Sequence, residues 1–210
     1  MAKAAKAQTI VKPGEGTAPS ADSIAAAAGA AGKGRGPAPV HLWNPPFCGD
    51  LDMRIARDGT WFYLGTPIGR PALVQLFSNI LKREGDRFFL VTPVEKVGIT
   101  VDDAPFFAVD FTVDGAGRDQ VVTFATKGEE RAPCGPDHPL RVARDDRTGE
   151  PAPYVLMRPG LEARIDRKSF YRLVDLCVHE VHDGARLFGL WSGGAFFAIG
   201  PSDEVEAALG

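Results

Sequence analysis

Met53-Arg54-Ile55-Ala56-Arg57-Asp58 recurs as Leu140-Arg141-Val142-Ala143-Arg144-Asp145, at an offset of 87, with four of six positions identical and two apolar swaps. The echo continues in order. Ile68-Gly69-Arg70 returns as Ile165-Asp166-Arg167 at an offset of 97. The apolar stripe Leu73, Leu76, Phe77, Ile80, Leu81 returns at the same offset as Phe170, Leu173, Val174, Cys177, Val178. Arg87-Phe88-Phe89 then matches Arg186-Leu187-Phe188 at an offset of 99. Ordered matches with small insertions read as an internal duplication. The expected class is α+β: two related, mostly antiparallel strand–strand–helix–strand units. Two packed units create a seam, and seams favour ligands.

The first copy contains the clearest hairpin, residues 51–64. Leu51, Met53 and Ile55 alternate with Asp52, Arg54 and Ala56, and Asp58-Gly59 suits a two-residue type I′ turn. That turn pairs Ile55 with Phe62 and Met53 with Leu64, leaving Asp52, Arg54, Trp61 and Tyr63 on the opposite face. Tryptophan and tyrosine beside arginine and aspartate suit interfaces and the holding of planar or anionic groups. The same face also suits packing against the other unit, with Arg54 and Asp52 paired. Pro71 fits a first helical position. The stripe Leu73–Leu81 predicts a core-facing helix stopped by Lys82-Arg83-Glu84-Gly85. In the second copy, Asp166 is the expected helix N-cap.

Phe88–Val91 reads as a strand broken by Thr92-Pro93 and resumed from Val94 to Val101. Glu95 and Lys96 point to opposite faces if extended. Phe106–Val113 with Gln120–Thr126, and Leu187–Trp191 with Ala195–Ile199, read as hairpins. A short helix follows Pro201-Ser202. The expected organisation is an Ala/Gly-rich segment over residues 1–38, an N-terminal repeat domain over 39–99 and a C-terminal domain over 100–210. The first segment is expected to be flexible, with one short helix from Ala21 to Ala31 capped by Ser20 or Asp22. Its deletion through residue 36 is expected to leave stability nearly unchanged, because little large apolar surface is present.

Composition narrows the function. The net charge is −3, and the first 36 residues carry +3, so the body is about −6. An acidic body argues against broad nucleic-acid binding. No stretch reaches the ~18–20 apolar residues of a membrane span. Three scattered cysteines, Cys48, Cys134 and Cys177, form no disulfide framework and suggest a reducing cytoplasm. Gly32-Lys33-Gly34 lacks the strand and the Ser/Thr of a phosphate loop. His179-Glu180-Val181-His182 lacks the spacing of a zincin helix, and Cys134 to His138 lies in a Pro/Gly loop unsuited to an oriented nucleophile. No metal, cofactor or catalytic residue is assigned.

Trp43-Asn44-Pro45-Pro46, Asp50-Leu51-Asp52-Met53-Arg54-Ile55, Asp58-Gly59-Thr60-Trp61, Gly65-Thr66-Pro67-Ile68-Gly69-Arg70 and Leu90-Val91-Thr92-Pro93-Val94-Glu95-Lys96 together resemble a bacterial family known as domain of unknown function 1285. The resemblance runs from about Leu42 to Gly200. It implies a duplicated core, a C-terminal domain loosely like pleckstrin-homology folds, and a ligand site in the seam with a role in signalling. It implies no activity.

The expectation is therefore a cytoplasmic regulatory protein that binds a small anionic or planar, nucleotide-like molecule in the seam. Arg54 or Arg70 would hold the anion and Trp61 or Tyr63 would stack. Asp52, Thr66, Thr92, Glu95 and Lys96 complete the candidate set. A protein-interaction module without a small ligand is one alternative. A hydrolase using Glu95 or Asp52 as general base is the other, and the balance leans away from an enzyme.

Overall fold

The structure, a computed structural model, describes residues 19–31, 37–145, 148–182 and 184–209. Its first element, α1 (Ala21–Ala31), is alanine-rich and needs only a cap to start. Ser20 provides it: its Oγ accepts from Ser23 N–H at 3.1 Å, and Ser23 Oγ accepts from Ser20 N–H at 3.1 Å. Ala21, Ile24 and Ala28, one face of the helix, are buried. They pack towards α2 of the N-terminal unit, and Ala21 N–H reaches Tyr63 Oη at 3.4 Å. The helix has the expected bounds, and its buried face argues against the expected small effect of deleting the segment. A small-residue face allows close helix approach, and Ile24 is 0% exposed. Residues 1–18 and 32–36 lie outside the described residues.

A turn of 3-10 helix, Val40–Leu42, leads into the first unit. It comprises β1 (Phe47–Ile55), β2 (Trp61–Tyr63), β3 (Thr66–Pro67), α2 (Pro71–Asn79), β4 (Leu81–Glu84), β5 (Arg87–Val91) and β6 (Lys96–Val101). Their sheet order is β3-β2-β1-β6-β5-β4, antiparallel except for the parallel β1–β6 pair. A meander follows: β7 (Phe106–Asp114), β8 (Val121–Thr126) and β9 (Arg131–Pro133). The second copy comprises β10 (Leu140–Arg144), β11 (Pro151–Arg158), β12 (Leu161–Ile165), α3 (Arg167–Val174), β13 (Val178–His182), β14 (Ala185–Ser192) and β15 (Ala195–Pro201), and α4 (Ser202–Leu209) closes the chain.

The two copies share one plan of three strands, a helix and three strands. In the second, the order is β12-β11-β10 in one sheet and β15-β14-β13 in another, with β15 beside β10 where β6 lies beside β1. The meander extends the first of these sheets through a parallel β12–β7 pair. The fold is thus α+β, mostly β, and duplicated, with each copy larger than the strand–strand–helix–strand unit expected from the sequence.

Two local expectations are corrected. The helix does not run to Leu81. α2 ends at Asn79, Ile80 N–H turns back onto Phe77 O, and Leu81 opens β4. The second copy repeats this, with α3 ending at Val174 and Val178 opening β13. The residues read as a helix stop form β4 and its turn, where Gly85 is left-handed (φ 59°). In the first hairpin the pairs are Met53–Tyr63, Arg54–Phe62 and Ile55–Trp61, one residue away from the expected register. Ala56 and Thr60 close a three-residue loop, Arg57-Asp58-Gly59, with Gly59 left-handed at φ 77°. Trp61 therefore faces the core beside Ile55, and Arg54 lies opposite Phe62. The shift inverts the side-chain face of β2 relative to β1.

One hydrophobic core runs through both units, joining Met53, Ile55, Trp61 and Phe77 to Phe106, Phe124, Val155 and Leu190. Ser192 secures the three-stranded sheet. Its buried Oγ accepts from Val122 N–H at 2.9 Å and donates to Cys134 O at 2.8 Å. Asp166 caps α3 as expected, accepting from Ser169 N–H at 2.7 Å.

Candidate functional site: the seam between the units

The seam holds a cleft of about 570 Å3. One wall comes from the first unit, through the hairpin tip at Gly59, Thr60 and Trp61 and through Ala72, Gln75 and Ser78 of α2. The other comes from Pro105-Phe106-Phe107 and the β8–β9 turn, Lys127 to Glu130. The hairpin tip comes close because residue 59 is glycine: a Cβ there would stand 2.9 Å from Phe107 Cβ. Across the cleft, a Cβ at Gly128 would meet Gln75 Oε1 at 3.1 Å, so this turn also bears on α2.

The aromatic side of the wall is rigid. Trp61 is 4% exposed and stacks on Phe77 with ring centroids 6.1 Å apart. Phe106 is buried beneath the Arg158 guanidinium, 4.8 Å from its ring. Arg158 donates to both Glu130 carboxylate oxygens at 2.8 and 2.9 Å and to Ser78 O at 2.9 Å, tying the second unit to α2. This mostly buried, bidentate pair fixes the back of the cleft. Lys127 is the one cation in the wall among the described residues.

A second cleft, about 470 Å3, lies on the other side of Phe107 and includes Arg57, Arg164, Arg167, Phe170 and Tyr171. Its arginines are engaged. Arg57 binds Asp145 at 2.6 Å, Arg164 binds Asp103 at 2.5 Å, and Arg167 Nε donates to Tyr171 Oη at 3.0 Å. Asp58, Glu150 and Asp166 also border it. Matched charge makes it a weaker candidate for an anion than its three arginines suggest.

Of the residues expected from the sequence, Trp61 alone lines the larger cleft. Arg54 sits on the other face of the hairpin, paired with Asp102 at 2.5 Å and stacked 4.6 Å over Phe62. Asp52 is exposed on β1. Tyr63 faces α1. Thr66 is exposed on β3, and Arg70 is exposed between the lining residues Gly69 and Pro71 without lining the cleft itself. Thr92 is a turn residue: its Oγ accepts from Glu95 N–H at 3.1 Å and its own N–H donates to Glu95 O at 2.9 Å. Lys96 binds Glu84 at 2.7 Å, and Glu95 is outside both clefts. The expected Asp52–Arg54–Trp61–Tyr63 face is thus not assembled, because the hairpin register separates the aromatics from the charges.

Gln75, Phe107, Lys127 and Glu129 were missed as site residues. Pro105-Phe106-Phe107 at a strand start and Lys127-Gly128-Glu129 at a turn were available signals, but neither points to a cleft without the packing. Asp58 keeps a lowered carboxyl pKa, first because it accepts from Thr60 N–H, with Lys127 adding a smaller effect. Cys134 is buried and its thiol is pushed up to about 12 by burial, which leaves no thiolate at neutral pH. Among the described residues no group of His, Cys, Asp and Glu could hold a metal. No helix among them is long and apolar enough to cross a membrane.

Comparison with known proteins agrees with the two-part plan. The model for the N-terminal domain of "Domain of unknown function (DUF1285)" matches residues 38–104, and that for the C-terminal domain of "Protein of unknown function (DUF1285)" matches residues 105–199. The junction falls at the cleft, where Pro105 and Phe106 line the wall. Among solved structures, a DUF1285 family protein from Silicibacter pomeroyi DSS-3 is similar at 66% identity and a TM-score of 0.80, over 87% of this chain and 97% of that one. A DUF1285 family protein from Shewanella baltica OS155 is 28% identical over 60% of this chain and 91% of that one, with a TM-score of 0.47. No curated protein matches the chain.

Proposed function

The chain belongs to the DUF1285 family, whose description carries no chemistry, and from its own site we propose that it is a regulatory protein binding a small planar, anionic ligand in the seam cleft. The observation that carries this reading is the cleft itself. Its volume of about 570 Å3 lies within the ~300–1,000 Å3 of small-molecule sites. One wall comes from the first unit and the other from the meander that opens the C-terminal domain, so an occupant bridges the two domains and biases their packing. That is what a signalling role requires. Phe107 offers a flat apolar surface, Thr60, Gln75 and Thr126 offer polar edges, and Lys127 offers the cation. A nucleotide combines these features.

Arg54 and Tyr63 have no part in this version of the site, and Arg70 serves at most at its margin. The C-terminal unit is read as loosely pleckstrin-homology-like. Support for that reading is an antiparallel-rich six-stranded sheet, a three-stranded sheet tied to it through Ser192, and a terminal helix. The proposed location is the cytoplasm, from the dispersed cysteines.

The test is a melting-temperature screen against nucleoside mono-, di- and triphosphates, with Lys127→Ala beside the wild type. A ligand at about 100-fold its Kd adds about 2.7 kcal/mol. For a chain of this size that is a rise of about 5–11 °C. The rise should shrink in Lys127→Ala. A uniform lack of shift favours an interaction module without a small ligand, and turnover of the compound favours an enzyme.

A further inference from the structure

The two turns that meet at the cleft have the same geometry and different residues at the same strained position. In the first, Gly59 N–H donates to Ala56 O and Ala56 N–H to Thr60 O, both at 2.9 Å. In the second, Glu129 N–H donates to Thr126 O and Thr126 N–H to Glu130 O, again both at 2.9 Å. Each is a three-residue hairpin loop whose third residue is left-handed, Gly59 at φ 77° and Glu129 at φ 64°. Such loops ordinarily place glycine there, because a Cβ is costly in that region. The chain uses glycine on one side of the cleft and glutamate on the other.

Glu129 is exposed, lines the cleft and makes no ion pair among the described residues. Its turn is held firmly. Lys127 N–H donates to Phe107 O at 2.9 Å, and Glu130 N–H donates to Thr126 Oγ1 at 3.1 Å. Local strain in a well-anchored turn at a cleft is the pattern of a residue kept for contact rather than for folding.

We propose that Glu129 is the specificity-determining residue of the seam cleft. Its carboxylate accepts paired hydrogen bonds from a flat ring that presents two adjacent N–H donors, as the N1–H and N2–H edge of a guanine base does. Two carboxylate oxygens match two parallel donors, whereas adenine offers one donor beside an acceptor. Phe107 packs against the ring and Lys127 takes the phosphate. The assignment rests on the seam reading and narrows its ligand to one class.

The experiment titrates the full chain with GMP, IMP and AMP by calorimetry, for wild type, Glu129→Gln and Glu129→Gly. The wild type should prefer GMP over AMP by about tenfold or more, with IMP between. Glu129→Gln, which keeps size but loses one acceptor, should bring that preference to about threefold or less. Without nucleotide, Glu129→Gly should melt about 2–4 °C higher, since glycine relieves the left-handed strain. Binding of all three nucleotides with no preference overturns the role of Glu129 and leaves the seam site standing. Binding of none, by every variant, overturns both. A Glu129→Gly variant that melts no higher removes the strain argument and overturns the assignment.

Discussion

Removing residues 1–36, or changing Ile24→Ala alone, should destabilise the protein by nearly the same amount. Ile24 is wholly buried, which stabilises by about 1.5–3 kcal/mol, and the buried Ala21 and Ala28 methyls add about 0.8 kcal/mol each. Ordering the helix opposes this. An isolated helix of 11 residues is marginal even when alanine-rich, which leaves a net docking free energy of about 2 kcal/mol. In an immovable site, Ile24→Ala would cost about 2–5 kcal/mol. Here the loss is capped, because the altered helix lifts off once docking no longer favours it. Thermal melts by circular dichroism should show both variants about 4–8 °C below wild type. A truncated chain melting within a degree of the full chain would refute the docking argument. An Ile24→Ala loss well beyond that of truncation would refute the cap.

Other outcomes follow from named contacts. Trp61→Ala should cost about 3–5 kcal/mol through lost core burial. Arg54→Ala should cost less than about 1 kcal/mol, since it and Asp102 are both partly exposed; denaturant melts of the two variants separate the observed hairpin register from the alternative. Gly59→Ala should cost about 2 kcal/mol or more, from left-handed strain and the Phe107 contact, read by the same melts. At neutral pH a thiol reagent should modify Cys48 and spare Cys134 and Cys177, both pushed up to about 12 by burial. Their folded pKa values lie above the unfolded value, so their contribution is complete below about pH 8.5 and declines as pH rises towards 12; an alkaline stability titration without that decline would contradict the burial of both thiols.

The duplication was legible because repeated polar positions, such as Arg54-Ile55-Ala56-Arg57-Asp58 and its copy, survive where packing alone would tolerate many swaps. Hairpin existence was legible too, but not its register. Trp61 with Tyr63 and Phe62 with Leu64 are both aromatic or apolar pairs, so alternation could not say which faces the core. Asp58-Gly59 fits a two-residue and a three-residue loop equally. Helix length failed for a similar reason: Ile80 and Leu81 continue the helical spacing of Leu73 and Phe77 while belonging to the cap and to β4. The docking of α1 was hidden by composition, since small side chains bury little area each and act through close approach. The duplication predicts a cleft between the two copies, whereas the larger cleft lies between the first copy and the meander; of the expected residues only Trp61 lines it, because Phe107, Lys127 and Glu129 belong to the meander, outside the repeat.

The most direct test of the seam site is a backbone amide NMR titration of the full chain with GMP. The account predicts shifts concentrated at Gly59, Thr60, Gln75, Phe107, Lys127 and Glu129, with Asp52, Arg54 and Thr66 unmoved. Shifts centred on the outer hairpin face, or no shift at millimolar GMP, would contradict it.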